Sequence, residues 1–400
     1  MGHTITNPID ASASGRLRLA PLLLLAAAVW ATVTVELVPA GLLPDVADEF
    51  GIRVSTAGVM VSAWAVTIAV ASLPLARLFR RTDRRMLLVG ALAVMALANI
   101  ALALAPSFEI IAVCRIIAAA AHGAFWSTVM VYAAAISPPA HTGRAVTITG
   151  AGAAVAVFLG VPLGTFIGQA AGWRATFWML AALLGACALI IRLTLPAVAG
   201  SRADQGRQRG SDATVVPVIL IVSVQLFVAF AHFSLYTYVS PFLTDRVGIA
   251  EQAVGVLLLV SGIGGLVGLV AVSFTADRFP RASMIVALVL LFIALLALAS
   301  ASGSLPAAVA SFVVWGIAIG ALPPLLLART LSLASDRLRT VASAMAVVAF
   351  NAGIAIGAWS GALIVDGPGL TVLPAAAASA AAVALAICLL SLRLDRKDPR

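Results

Sequence analysis

A succession of apolar runs, each about long enough to cross a bilayer, leaves this chain very few folds. A membrane-spanning helix takes about 20 consecutive apolar residues. The runs lie at about 18–42, 55–77, 86–106, 109–135, 145–170, 173–195, 216–242, 252–275, 283–303, 306–330, 341–364 and 370–392, with ends good to a few residues. Of 400 residues 62% are hydrophobic and only 10% charged, too little polar surface to clothe a soluble domain. A β-barrel would show alternating segments of about ten residues, whereas these runs are continuous and about twice as long. The first run exceeds a signal-peptide core and no convincing cleavage site follows it, so it reads as an uncleaved span. The expected fold is an all-α membrane protein of twelve transmembrane helices in two six-helix pseudo-symmetric bundles.

An even number of spans puts both termini on one side. Of the 25 Lys and Arg residues, Arg53, Arg174 and Arg246 fall on the opposite side and Arg115 lies within a run; the rest share the side of the termini. The positive-inside rule makes that side cytoplasmic. The net charge of +9 is then a topology signal and no footprint of nucleic acid. The chain also repeats weakly. GVMVSAWAVTIAVASLPLARLFRRTDRRMLLV from Gly58 parallels GVLLLVSGIGGLVGLVAVSFTADRFPRASMIV from Gly255, each a span running into a short basic loop and another span. The division expected is a first bundle over 1–196, a polar cytoplasmic linker over 197–214 and a second bundle over 215–400, the plan of a parallel-repeat transporter.

The remaining chemistry is sparse. Cys114, Cys187 and Cys388 sit within apolar runs and read as small buried hydrophobes. No metal-ligand spacing and no GxxxxGKS or GxxxxGKT run occurs, so neither a metal site, an enzyme nor ATP-driven transport is expected. The energy source expected is the proton gradient, with no cofactor. The partners expected are a small-molecule substrate, protons and the bilayer, in a monomer.

A carboxylate inside a span is costly, about 2.5–3.5 kcal/mol on insertion scales, and by default marks a substrate or proton path. Glu36, in VWATVTVELVPAGLLP, is such a group. Arg115 in the fourth run lies at about the same depth, roughly 10 Å below the outer surface at about 1.5 Å per residue. A Glu36–Arg115 pair is therefore feasible, either static or as a site where a proton or a cation displaces the arginine. His122, two turns deeper on the same face, either titrates or hydrogen-bonds between helices. His232 and Tyr236 in AHFSLYTY share a face of the seventh run, while Tyr238 suits an interfacial aromatic belt. Asn351 and Gln225 serve as interhelical hydrogen-bonding groups or as substrate contacts. Trp30, Trp64, Trp126 and Trp315 lie inside spans, where they pack or wall a cavity. Gly160, Gly164 and Gly168 recur every four residues around Pro162, which suits close packing or a helix that flexes and slides.

These runs resemble a known family over nearly the whole chain. VELVPAGLLPDVA (Val35–Ala47), AHGAFWS (Ala121–Ser127), GVPLGTFIGQAAGWRATF (Gly160–Phe177) and AHFSLYTYVSPF (Ala231–Phe242), in this order, resemble the drug:proton antiporter group of the major facilitator superfamily. The likeness is strongest to bacterial sugar efflux transporters and related purine-nucleoside and chloramphenicol exporters. It implies a proton-coupled efflux transporter in a bacterial inner membrane, with an importer or symporter, or a non-transporting membrane sensor, as the alternatives. Glu36 matches the group's acid in the first helix and Arg115 its basic residue in the fourth. Gly160, Pro162, Gly164 and Gly168 match its antiporter signature. The loop after the second helix usually reads Gly-x-Leu-Ala-Asp-Arg-x-Gly-Arg-Arg. Here Leu78, Arg81, Arg84 and Arg85 match, Arg80 replaces the acid, Ala76 the first glycine and Asp83 the second, which puts the usual charge latch in doubt. Asp277 and Arg278 keep the pattern in the second half.

Overall fold

The computed structural model describes residues 17–79, 81–200, 214–300, 304–335 and 338–397. Arg80, Asp336 and most of the expected linker lie outside these. The described residues hold twelve helices long and apolar enough to cross a membrane, and no strand. They are α1 (Leu19–Gly41), α2 (Val54–Ser72), α3 (Arg84–Ala103), α4 (Phe108–Ala135), α5 (Pro139–Ala171), α6 (Trp173–Thr194), α7 (Val215–Tyr236), α8 (Glu251–Thr275), α9 (Pro280–Ser300), α10 (Leu305–Leu333), α11 (Val341–Asp366) and α12 (Leu373–Leu394).

Where a helix departs from its apolar run, a proline or a cap explains it. The α-helical part of α1 stops at Leu37 and continues as a 3-10 turn over Val38–Gly41, because Pro39 has no N–H for the carbonyl of Val35. The expected seventh helix ends early, at Tyr236, and gives way to a π-helical segment, Phe242–Val247, that Gly248 closes at φ 77°. Pro241 sits at that break. Asp83 caps α3, its carboxylate accepting from the Met86 N–H at 2.9 Å.

Helix α5 carries a π-helical turn over Ala156–Gly160, closed by the Val161 N–H on the Ala156 carbonyl. Pro162 follows and offers no N–H of its own, so the ladder is already broken here. The glycine stripe of α5 lies against α1. A Cβ at Gly160 would collide with Thr34 Oγ1, one at Gly164 with Val38, one at Gly168 with Leu42, and one at Gly152 with the Ala26 carbonyl. The first three neighbours are side chains that can turn aside; the last is backbone. Gly152→Ala is therefore expected to destabilise the first half by about 1–3 kcal/mol, the usual cost of overpacking. Gly185→Ala, where a Cβ would meet nothing, is the matched control. Thermal melts of the two variants check this, and equal melting temperatures would refute it.

The two halves meet from mid-span to the face opposite the termini. Val61 and Ala65 of α2 pack on Ala229, Phe233, Ile354, Ala355 and Ala358 of α7 and α11. Phe158 in the π turn lies against Gly262 and Gly265 of α8, and Gly58 leaves just enough room for the Tyr238 hydroxyl. At the surface Arg53 Nη1 pairs with Asp366 Oδ2 at 2.6 Å across the halves. Nearby, on the short helix Leu43–Phe50, burial, Glu251 of the second half and the neighbouring Asp48 push Asp45 up to about 6 from 3.8. Arg53 is engaged by Asp366, and Glu49 pairs with Arg174.

A raised pKa in the closed arrangement means closure binds a proton. Its stabilisation is complete below the ordinary aspartate value, about 3.8, and is lost as pH rises through about 6. Spin labels at Ala171→Cys and Gln252→Cys, one on each half at this face, are expected to move apart between about pH 4.5 and about pH 7.5. In Asp45→Asn the response over this window should shrink, because one of the groups that binds a proton on closure is gone. A response of the parent's full size in the variant would remove Asp45 from the titration.

Candidate functional site

The site grows out of the broken end of α1. The proline frees the Val35 carbonyl, and the tighter turn after it frees that of Glu36. Arg115 of α4, fully buried, reaches both: Nη1 donates to Val35 O at 2.7 Å and Nη2 to Glu36 O at 3.0 Å. Its Nε donates to Met60 O of α2 at 3.0 Å, and its guanidinium stacks on the Trp64 ring at 4.0 Å. Arg115 thus binds three helices together through main-chain oxygens, in a setting where an unmet carbonyl is costly. This corrects the expectation of a Glu36–Arg115 carboxylate pair. Equal depth was read correctly, but the arginine reaches the backbone of Glu36 and leaves its carboxylate to another group.

That group is His122. Its Nε2 lies 3.3 Å from Glu36 Oε2, and the imidazole is 2% exposed. Trp64 and Trp126 flank the ring, with centroids at 5.3 and 6.1 Å. His122 Nδ1 has no protein partner. A carboxylate against an imidazole in an indole-walled setting can share and hand on a proton. The carboxylate also borders a narrow pocket between the halves, lined by Leu37, Ala40, Val61 and Trp64 on one side and by Phe233, Tyr236 and Ile354 on the other.

In the second half, His232 and Tyr236 stack as the spacing predicts, centroids 4.7 Å apart and planes at 26°. Trp315 of α10 lies at 5.2 Å from His232. Tyr238 is fully buried and donates to Ala358 O at 3.0 Å, so it is an interhelical tie and no part of an aromatic belt. Asn351 donates from Nδ2 to Val347 O at 3.0 Å, while its Oδ1 has no protein partner. Phe233 was not singled out in the sequence, because a phenylalanine in an apolar run carries no signal of its own.

The loop arginines turn to their own half. Arg85 Nη1 donates to Leu195 O at 2.9 Å and Arg84 Nε to Ala199 O at 3.3 Å, while the Tyr132 hydroxyl donates to Pro196 O at 2.7 Å. They strap the segment after α6 to the first bundle. Arg81 and Asp277 are exposed, and Arg278 lies over the Phe279 ring at 5.4 Å.

A family model described as Major Facilitator Superfamily matches residues 22–239 and 221–400. The chain belongs to the major facilitator superfamily. Among relatives, a "Probable sugar efflux transporter" of Mannheimia succiniciproducens is 31% identical over 337 residues, 84% of this chain and 85% of that protein. A "Chloramphenicol resistance protein" of Streptomyces lividans is 33% identical over 341 residues, 84% of this chain and 87% of that protein. The fold matches that of a bacterial homolog of the human lysosomal transporter Spinster, in an inward-facing and unoccupied conformation. The TM-score is 0.73 at 17% identity, covering 95% of this chain and 98% of that one. A mutant of the nucleoside transporter NupG matches with TM-score 0.72 at 15% identity, covering 92% and 99%. This chain is thus a multi-pass membrane transporter of the superfamily.

Proposed function

We propose that this major facilitator protein exports small molecules, sugars or drugs, in exchange for protons by alternating access, from a bacterial inner membrane with both termini cytoplasmic. The observation that carries this reading is the Glu36–His122 contact placed against the second half. A charged carboxylate facing Phe233, Tyr236 and Ile354 in a low-dielectric setting is expensive; a protonated one is not. Loading Glu36 with a proton therefore favours the arrangement in which the halves meet on the face away from the termini. Releasing that proton favours opening there. With the arginine-rich side cytoplasmic, this order carries protons inward and cargo outward. The names of the sugar efflux and chloramphenicol resistance relatives support the direction and the cargo classes.

Inverted membrane vesicles with an imposed pH gradient test it. Purified protein in such vesicles is expected to accumulate cargo inside when the interior is acidic. A screen over arabinose, uridine and chloramphenicol would name the class. Accumulation in right-side-out vesicles alone would make the chain an importer, and flux that ignores the gradient would remove proton coupling.

A further inference from the structure

On the side of the termini, the two halves fill the same corner differently. In the first half α3 packs on α4 and on α6; in the second α9 packs on α10 and on α12. Arg84 lies in the first turn of α3 and Arg281 in that of α9. Tyr132 stands as far along α4 as Arg329 stands along α10. In the first half the chain itself fills the corner. α6 stops at Thr194, and the carbonyls after it are taken up by local donors. Leu195 O meets Arg85, Pro196 O meets Tyr132, Ala199 O meets the Arg84 side chain, and Val198 O accepts from the Arg84 main-chain N–H at 2.8 Å.

In the second half no such strap folds back. α12 runs on as helix to Lys397, so its carbonyls up to Arg393 stay in its own ladder. Arg329 takes the tyrosine's place, half-buried, with Arg281 and Cys388 near enough to act on its charge. Arg281 is exposed, and Arg278 in the loop before α9 holds its guanidinium over the Phe279 ring. At the ends of α9, α10 and α12 the sequence sets Arg278, Arg281, Arg329, Arg393, Arg396 and Lys397 against Asp277 and Asp395. A topology signal asks only for positive charge in the loops. It does not ask for an arginine inside a helix, half-buried beside another arginine. Two such charges repel, and an anion lodged between them is held by both.

We infer that the corner of α9, α10 and α12, with Arg281 and Arg329 as its donors, binds the phosphate of an anionic membrane phospholipid. A guanidinium presents two parallel N–H donors that match a phosphate. The surroundings favour a lipid over a free ion. Both arginines lie toward the ends of membrane spans, and Leu327, two residues before Arg329, and Leu389, beside Cys388, are exposed there for acyl chains to cover. The excess of positive charge selects a headgroup whose own charge is not cancelled by a choline. A bound headgroup ties the ends of α9 and α10 together, as main-chain oxygens tie the chain after α6 to α3 and α4. The inference stands apart from the transport reading and needs only that the chain span a bilayer.

Native mass spectrometry of the purified full-length protein, titrated with lipid in detergent, tests it. Phosphatidylglycerol carries a net negative charge; phosphatidylcholine of the same chains has the phosphate, but its choline cancels the charge. The parent is expected to bind its first phosphatidylglycerol about tenfold more tightly than phosphatidylcholine, roughly what two arginines at a membrane surface contribute. Arg281→Gln and Arg329→Gln should each lose most of that preference. Arg192→Gln, which removes an exposed arginine from the last turn of α6, should keep it. Arg281 is exposed, so its variant is expected to fold as the parent does and carries the test even if Arg329→Gln does not. The assignment is overturned if phosphatidylcholine binds as tightly as phosphatidylglycerol, or if Arg281→Gln weakens phosphatidylglycerol no more than Arg192→Gln. Displacement of the lipid by inorganic phosphate at equal concentration would overturn it too, by making the corner a site for a free anion.

Discussion

Glu36→Gln is expected to reduce gradient-driven transport to the level of empty liposomes while the protein stays folded. Glutamine keeps the size of the side chain and its reach toward His122, but it cannot take up or release a proton. The carbonyl of residue 36 still accepts from Arg115, so the broken end of α1 stays in place. Exchange of cargo across the membrane without a gradient is expected to persist within a factor of about five, equivalent to about 1 kcal/mol. His122→Gln should weaken the gradient response without abolishing it, because the carboxylate remains to titrate. Reconstituted protein assayed with and without a pH difference separates the two effects. Gradient-driven flux that survives in Glu36→Gln would place the coupling proton on another group.

Arg115→Ala is expected to be the most destabilising single change in the first half. It strips donors from the carbonyls of Val35, Glu36 and Met60 and leaves a void under the Trp64 ring. The carbonyls of Val35 and Glu36, at the broken end of α1, are left unmet at about 1–3 kcal/mol each, while that of Met60 stays within the helical ladder of α2, so the loss is a large fraction of the stability of an ordinary domain. Arg115→Lys should be milder but still costly, since a single ammonium cannot present a planar fork to three acceptors. The geometry also predicts which second change helps. Pro39→Ala returns a main-chain N–H to the carbonyl of Val35, so the Pro39→Ala/Arg115→Ala pair should melt higher than Arg115→Ala alone. Glu36→Gln should give no such rescue, because the carboxylate is not what the arginine holds. Rescue by Glu36→Gln and none by Pro39→Ala would restore the ion-pair account.

Sequence alone determined the spans, their number and the side on which the arginines gather. It also placed an acid, an arginine and two histidines inside the spans at usable depths. These are local properties: a run of apolar residues must become a helix in a bilayer whatever its neighbours do, and charge bias acts loop by loop. Tertiary structure decided the partners. Glu36 meets His122 and not Arg115, because pairing depends on how each helix is rotated about its own axis, and that is set by packing against the others. Main-chain acceptors are invisible to a sequence reading, since every residue carries one; only Pro39, four residues after Val35, hinted that a carbonyl there was free. The same reason hid the role of Arg84 and Arg85, whose partners are carbonyls at Ala199 and Leu195. Asp83, read as a substitution in a gating loop, turned out to cap α3. The glycines of α5 were legible as small residues, but not the π turn beside them or the contact of its Phe158 with α8, because both arise only when three helices press on one another.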